Sequence, residues 1–254
     1  MSAALTFDAI ARRSLGVEAR SEFLRMLRSP SFVLPALLFP PMFYLLFGVI
    51  MNLGRGAFQA PQYLLATYCV FGVISPGLFG FGITVAMERE QGLLRLKRAL
   101  PMPAHNYLAA KLAMALLFAA TIYVSLSLLA YAAGGVRLEA MQWVLLGVVS
   151  IAGVAPFCAL GLLVGTMTTA QGSTAVANLI YLPMALLSGL WLPLFLLPKI
   201  VQTIAPVWPA YHLGQLALSA IGQPSTGNTL SHVVYLVAFT TLVFAIASRR
   251  LARE

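Results

Sequence analysis

Charge is scarce in this sequence. Aspartate, glutamate, lysine and arginine make up 9% of its 254 residues, against roughly 25% in a soluble domain, so the chain lacks the polar surface that a water-facing fold of this length needs. Acidic residues are the rarest, seven in all, and none lies near the middle of an apolar run. That weakens a proton- or sodium-coupled carrier, many of which rely on intramembrane carboxylates, although broken helices and carbonyls can hold sodium too. Cysteine occurs twice, at Cys69 and Cys158, each inside an apolar run; the pair forms no CxxC and reads as small packing residues. There is no GxxxxGK[ST] and no HExxH, which leaves this chain without a recognisable nucleotide or zinc site. No catalytic residue, metal ligand or cofactor of its own is expected.

What the sequence has in excess is apolar length. Hydrophobic residues make up 60% of it and the mean hydropathy is +0.89. Runs of about 20 residues, each able to cross roughly 30 Å of hydrocarbon, recur at Ser31 to Met51, Pro61 to Met87, Ala104 to Ala133, Met141 to Met167, Ser173 to Leu197 and Ser231 to Ser248. The runs are continuous and do not alternate with period two, which argues for helices over a barrel. The expected fold is all-α, a polytopic membrane protein with six transmembrane helices over residues 31–254. Residues 1–30 form a separate amino-terminal segment.

Positive residues favour the cytoplasmic side. With the amino terminus inside, thirteen of the 16 lysines and arginines fall on cytoplasmic segments, and only Arg55, Arg137 and Lys199 fall outside. Both termini are then cytoplasmic. The net charge of +9 follows from this topology and from anionic headgroups, so it gives no support to nucleic-acid binding. Lipid is the expected partner of the amino-terminal segment, where Phe7, Ile10, Ser14, Val17, Ser21 and Leu24 share a helical face, as in a helix lying in the interface. The alternative there is a basic topogenic tail.

Seven of the charged residues gather in "MEREQGLLRLKRALPMPAHNYLAAKL", Met87 to Leu112, on the cytoplasmic side between the second and third runs. A helix from Glu88 to Leu100 would set Leu93, Leu96 and Leu100 against the membrane domain. Gln91, Arg95 and Arg98 would then face outward, before Pro101 ends the helix. A second distinctive stretch, Pro193 to Gly222, carries Pro193, Pro198, Pro206 and Pro209, which forbid one straight helix. Its Trp191 border, Trp208 and Tyr211 suit a headgroup level. One or two short helices dipping into the outer leaflet, or an interfacial loop, would satisfy this pattern.

At these two stretches the sequence resembles the ABC type-2 permease family. Glu88, Arg89, Glu90, Gly92, Leu93, Leu96, Pro101 and Lys111 occupy places similar to those of the family's cytoplasmic loop. Ser188, Gly189, Pro193, Leu197, Pro198, Ile204, Pro209 and Tyr211 follow the family's order after the fifth span, with Ala210 where members often carry threonine. The resemblance implies the membrane subunit of a bacterial ABC exporter in the plasma membrane. This subunit would pair with a second copy or a sister permease above two separate ABC ATPase subunits that hold ATP and Mg. It implies that Glu88, Arg89, Glu90, Gly92, Arg95, Arg98 and Pro101 belong to a coupling helix against the ATPase. It also implies that Trp191, Pro193, Pro198, Trp208, Pro209 and Tyr211 lie on re-entrant helices at a substrate exit.

Uncharged candidates for a translocation path are Tyr44, Phe47, Tyr68, Phe79, Asn178 and Tyr181, which favour a hydrophobic or amphipathic substrate such as a drug, lipid, peptide or lipid-linked glycan. Two other classes stay open. A non-transporting assembly or scaffold factor fits the same topology, and an intramembrane serine hydrolase would use Ser188 with a histidine, although the LSG stretch at Leu187 to Gly189 lacks the first glycine of a GxSG site.

Overall fold

The computed structural model describes residues 2–51, 60–94, 96 and 104–252, with side chains from Ser14 onward in the first helix. Every regular element among them is helical. The chain opens with α1 (Ser2–Leu27) and turns at Ser29 into α2 (Pro30–Phe43), whose axis continues as a wider π-helical stretch, Tyr44–Ile50. The second crossing has the same construction: α3 (Ala60–Ser75), a π-helical stretch Pro76–Ile83, and α4 (Thr84–Glu90). In both, the wide turns begin at or just after prolines, Pro40 and Pro41 in one and Pro76 in the other. A proline lacks the N–H for its own i→i−4 bond, and a wider turn lets the helix pass it without breaking.

The third crossing is α5 (Ala104–Ala132). The fourth is split at Gly153 and Val154 into α6 (Ala140–Ala152) and α7 (Ala155–Met167), with Pro156 in the first turn of α7, where its missing donor costs no helical bond. Then come α8 (Ala170–Leu187), α9 (Lys199–Ile204), α10 (Pro209–Ala220) and α11 (Thr229–Ala252).

Five stretches among the described residues are long and apolar enough to cross a membrane: Pro30–Ile50, Ala60–Glu90, Asn106–Ala132, Ala140–Met167 and Thr229–Leu251. They match the expected first, second, third, fourth and sixth runs. The fifth run differs. Instead of reaching Leu197, α8 stops at Leu187, where Gly189 takes the left-handed conformation (φ +74°) and Leu190 N–H bonds back to Ala185 O at 3.2 Å, a glycine-terminated helix end. Gln171, Ser173, Thr174 and Asn178 also dilute its apolar character.

The second crossing is the most buried of the five, and the others sheathe it. Its closest neighbour is α7. A Cβ on Gly161 would lie 2.7 Å from Gly77 O and 2.8 Å from Leu78 O, and one on Gly165 or Gly82 would fall still closer to the opposite backbone. The GxxxG of Gly161 and Gly165 is therefore a close crossing within the chain, where only hydrogen side chains fit.

Candidate functional site

The second crossing ends on three consecutive charged residues, and successive residues of a helix point about 100° apart. Glu88, Arg89 and Glu90 accordingly reach three different parts of the protein.

Glu88 turns inward, to a buried cluster assembled from α1, α4 and α5. At its centre is Lys111 of α5, fully excluded from solvent. Its ammonium has three hydrogens to give and three acceptors receive them: Glu22 Oε2 at 3.1 Å, Glu88 Oε1 at 3.1 Å and Thr84 Oγ1 at 3.0 Å. Thr84 passes its own hydrogen to Gly80 O at 2.7 Å. Arg25 of α1 adds a second cation, giving Nη1 to Glu88 Oε1 at 2.5 Å and Nη2 to Glu22 Oε2 at 2.6 Å. Tyr107 donates to Glu88 Oε2 at 2.7 Å. Among the described residues two carboxylates face two cations, and pairing of this kind is the condition under which buried charges are tolerated. Burial pulls the Arg25 guanidinium downward in pKa, but the two glutamates outweigh it and hold the group above its ordinary value. Asn106 Nδ2 to Ser14 Oγ, 3.1 Å, ties α1 to α5 a second time.

Arg89 turns to α7. Its guanidinium forks onto Thr166 O at 2.6 Å and Thr168 O at 2.8 Å, placing a cation on the carbonyl end of that helix. Glu90 turns to α8, where its Oε1 accepts the Ala170 N–H at 3.0 Å. A carboxylate on the amino-terminal end of a helix complements its dipole, and Thr169 caps the same turn by accepting Gly172 N–H at 3.1 Å. Beyond Glu90 the helix expected from Glu88 to Leu100 is interrupted. Gln91 closes α4, Gly92 adopts φ +70°, and helical residues resume at Leu93 and Leu94. A left-handed residue cannot lie within a right-handed helix, and Gly92 tolerates that conformation where most residues would not. Arg55, Arg95, Arg98 and Pro101 lie outside the described residues.

A second grouping is aromatic. Phe71 lies among Tyr68 (6.2 Å between ring centroids), Tyr181 (5.3 Å, stacked), Trp191 (5.8 Å) and Phe43 (6.3 Å). Phe43 continues to Phe47 at 6.1 Å, and Tyr181 continues to Phe79 at 5.4 Å. This wall joins the first crossing, the second crossing and α8. Tyr68 OH donates to Trp191 O at 3.1 Å, which holds the turn after α8 against it.

Comparison with known proteins matches these features to one group. The family model described as ABC-2 type transporter covers residues 14–221, a span that includes the charged cluster, Arg89, Glu90 and the aromatic wall. The chain belongs to the ABC-2 type transporter family. A Bacillus subtilis (strain 168) protein named "Putative transport permease YvfS" is 30% identical over 227 residues, covering 87% of this chain and 92% of that protein. As an ABC-2 type transporter protein the chain is an ABC transporter membrane subunit, multi-pass, and a transport component rather than an enzyme.

Within this ABC-2 subunit the sequence candidates fall into place unevenly. Of the path candidates, Phe47, Tyr68, Phe79 and Tyr181 join the aromatic wall with Trp191. Tyr44 is fully buried against Gly48 and Gly134, away from the wall, and Asn178 is exposed on α8 with its amide on Thr174 O. Phe43 and Phe71, which link the wall, went unnoticed in the sequence because they sit in apolar runs where phenylalanine is unremarked. Pro198 precedes α9, Pro209 opens α10 behind Trp208, and Pro193 and Tyr211 are buried. Glu22, Arg25, Thr84 and Tyr107 were also missed. Of the apolar stripe read on α1, Val17 and Ser21 are exposed, Leu24 is half-buried and Ser14 meets Asn106 of α5, while the side chains of Phe7 and Ile10 lie outside those described; Glu22 and Met26 face the protein. Ser188 Oγ is buried without a hydrogen-bond partner, and His212 and His232 bond to each other and to carbonyls, not to it.

Proposed function

We propose that this chain is one half of the membrane part of an ABC exporter, driven by separate ATPase chains that hold ATP and Mg²⁺. The observation that carries the reading is the divergence of Glu88, Arg89 and Glu90. Through them the start of the cytoplasmic loop is tied to α1 and α5, to the end of α7 and to the start of α8. A displacement of that loop is thereby delivered to four helices at once, which is what a motor working from outside the bilayer requires. Residues 91–101, with Gln91, Arg95 and Arg98, form the surface that meets the ATPase. Gly92 is the joint between that surface and the second crossing.

In this reading α8 supplies a sixth crossing and both termini are cytoplasmic in a bacterial plasma membrane. α1 lies at the inner interface, and α9 and α10 enter the outer leaflet. A second copy or a sister permease completes the path. The aromatic wall faces a hydrophobic or amphipathic substrate, and the transport is outward by alternating access.

The test is purification of the tagged chain from its native membranes, followed by reconstitution with the ATPase that accompanies it. ATP-dependent efflux of amphipathic probes from proteoliposomes, abolished when the ATPase is catalytically dead, is expected. An ATPase-free complex, or one whose hydrolysis moves no substrate in a broad probe set, would favour an assembly role instead.

A further inference from the structure

At the opposite end of the second crossing from Glu88, the residues joining α10 to α11 are held to that crossing by Gln223, whose amide donates to Gln62 Oε1 at 2.8 Å. Here α10 and α11 bring two histidines together. His212 and His232 meet Nδ1 to Nδ1 at 2.8 Å. The other nitrogen of each ring is already committed: His212 Nε2 lies 2.8 Å from Pro206 O, and His232 Nε2 lies 2.7 Å from Thr226 O. A carbonyl only accepts, so both Nε2 atoms carry hydrogen. In two neutral rings the facing Nδ1 atoms would then be bare lone pairs, which repel. One added proton turns the same contact into an N–H···N bond of ordinary length.

We propose that His212 and His232 hold one proton between them, as an imidazolium–imidazole pair that latches α10 to α11 and opens both when that proton leaves and when a second arrives.

The surroundings fit a single positive charge. Tyr235 of α11 stacks on His212 (3.8 Å, 20°), offering a ring face to a cation, and its hydroxyl is fixed by donation to Val207 O at 2.7 Å. Tyr211 presents its ring to both histidines at 5.3 and 6.0 Å. Tyr63 of α3 lies beyond Tyr211, and Gln142 of α6 is spent on Ile221 O. Among the described residues no carboxylate, lysine or arginine bonds to either imidazole, so the charge on the pair is that of its own protons. Entry of the second proton is opposed: burial lowers the His212 pKa, the Pro206 carbonyl raises it, and the charge on His232 lowers it again. The sign follows. The latched pair binds one proton more than two neutral rings, so the latch gains as pH falls through the first step and is lost as pH falls through the second.

A metal ion fits less well, since two Zn–N bonds of about 2.0 Å at a tetrahedral angle set the nitrogens roughly 3.3 Å apart. The latch goes beyond the transport reading and is independent of it. Under the proposed topology it faces the outside, where it would sense external acidity.

The test is histidine-selective ¹⁵N labelling of the full chain in nanodiscs, read by long-range ¹H–¹⁵N correlation from about pH 4.5 to 8.5, with His212→Gln and His232→Gln as assignment controls. The expected result is two protonation steps more than about one pH unit apart, collapsing to one step in either variant. Hydrogen exchange of residues 221–228, corrected for intrinsic rates, should be slowest between the two steps. Two independent, ordinary histidine titrations in the wild-type chain would overturn the proposal, and so would exchange that changes monotonically with pH. Both readouts need only the wild-type protein, so an unstable variant does not remove the test. Stoichiometric Zn²⁺ binding at neutral pH that replaces the two-step titration would overturn the shared proton in favour of a metal site.

Discussion

Replacing Lys111 with methionine should be among the most damaging single changes outside the glycine crossing. Methionine keeps most of the side chain's volume, so packing is largely preserved and the electrostatic loss is isolated. The substitution removes both 3.1 Å ion pairs and the 3.0 Å bond to Thr84. Two carboxylates, 3% and 2% exposed, each lose their pairing with the buried ammonium. Stranding a buried charge in this way costs about 3 to 5 kcal/mol, which for a chain of this length is about 6 to 20 °C in Tm. Arg25→Met should cost less, because the Arg25 side chain is 45% exposed and water can replace part of what it gives. The double variant Lys111→Met/Glu88→Gln removes a carboxylate together with the ammonium, keeps the 2.6 Å Arg25–Glu22 pair and should be more stable than Lys111→Met alone. Thermal unfolding followed by tryptophan fluorescence and by size-exclusion recovery in detergent gives all four values. A Lys111→Met protein within about 2 °C of wild type, or a double variant less stable than the single one, would refute the reasoning that pairing of buried charge governs this cluster.

Gly161→Val should lower stability by at least about 1 to 3 kcal/mol, or prevent accumulation, because its Cβ meets two carbonyls across the crossing. Gly16→Ala, whose Cβ would meet nothing within 4 Å, should instead raise stability by about 0.5 to 1 kcal/mol in the same melts. Arg89→Lys keeps the charge but cannot fork onto both Thr166 O and Thr168 O. Faster hydrogen exchange confined to residues near 164–172 is expected, and unchanged exchange there would count against Arg89 as a clasp. In a background lacking Cys69 and Cys158, single cysteines at positions 137 and 199 should label from outside and those at 91 and 249 from the cytoplasm. Labelling of position 137 only from inside would reject the six-crossing topology.

The crossings were legible because each is a local property of a continuous apolar run, and five of the expected runs recur as helices with ends shifted by only a few residues. The charged loop was legible as a motif. Its partners were not, because Glu22 and Lys111 are 89 residues apart and Arg89 and Thr168 are 79 apart, and nothing in either neighbourhood marks the pairing. Local chemistry was misread at two glycines. Gly92 and Gly189 each stop a helix that periodicity alone would have extended, since hydrophobic spacing records which face a residue takes and not where the backbone leaves the helical region. His212 and His232 are 20 residues apart, and their meeting depends on how α10 folds back onto α11.

The wide turns of Pro76–Ile83 also act as a phase adjuster. A π-helical stretch carries an extra residue relative to an α-helix of equal rise, and each residue removed from a helix rotates everything after it by about 100°. Tightening the stretch to ordinary α geometry with every residue kept would turn that extra residue into about 100° of rotation downstream. It would swing Glu88 away from Lys111, Arg89 away from Thr166 and Glu90 away from Ala170 together. The angular setting of the three contacts is therefore written eight or so residues upstream of them, in a proline-led segment that contains none of the charges it aims.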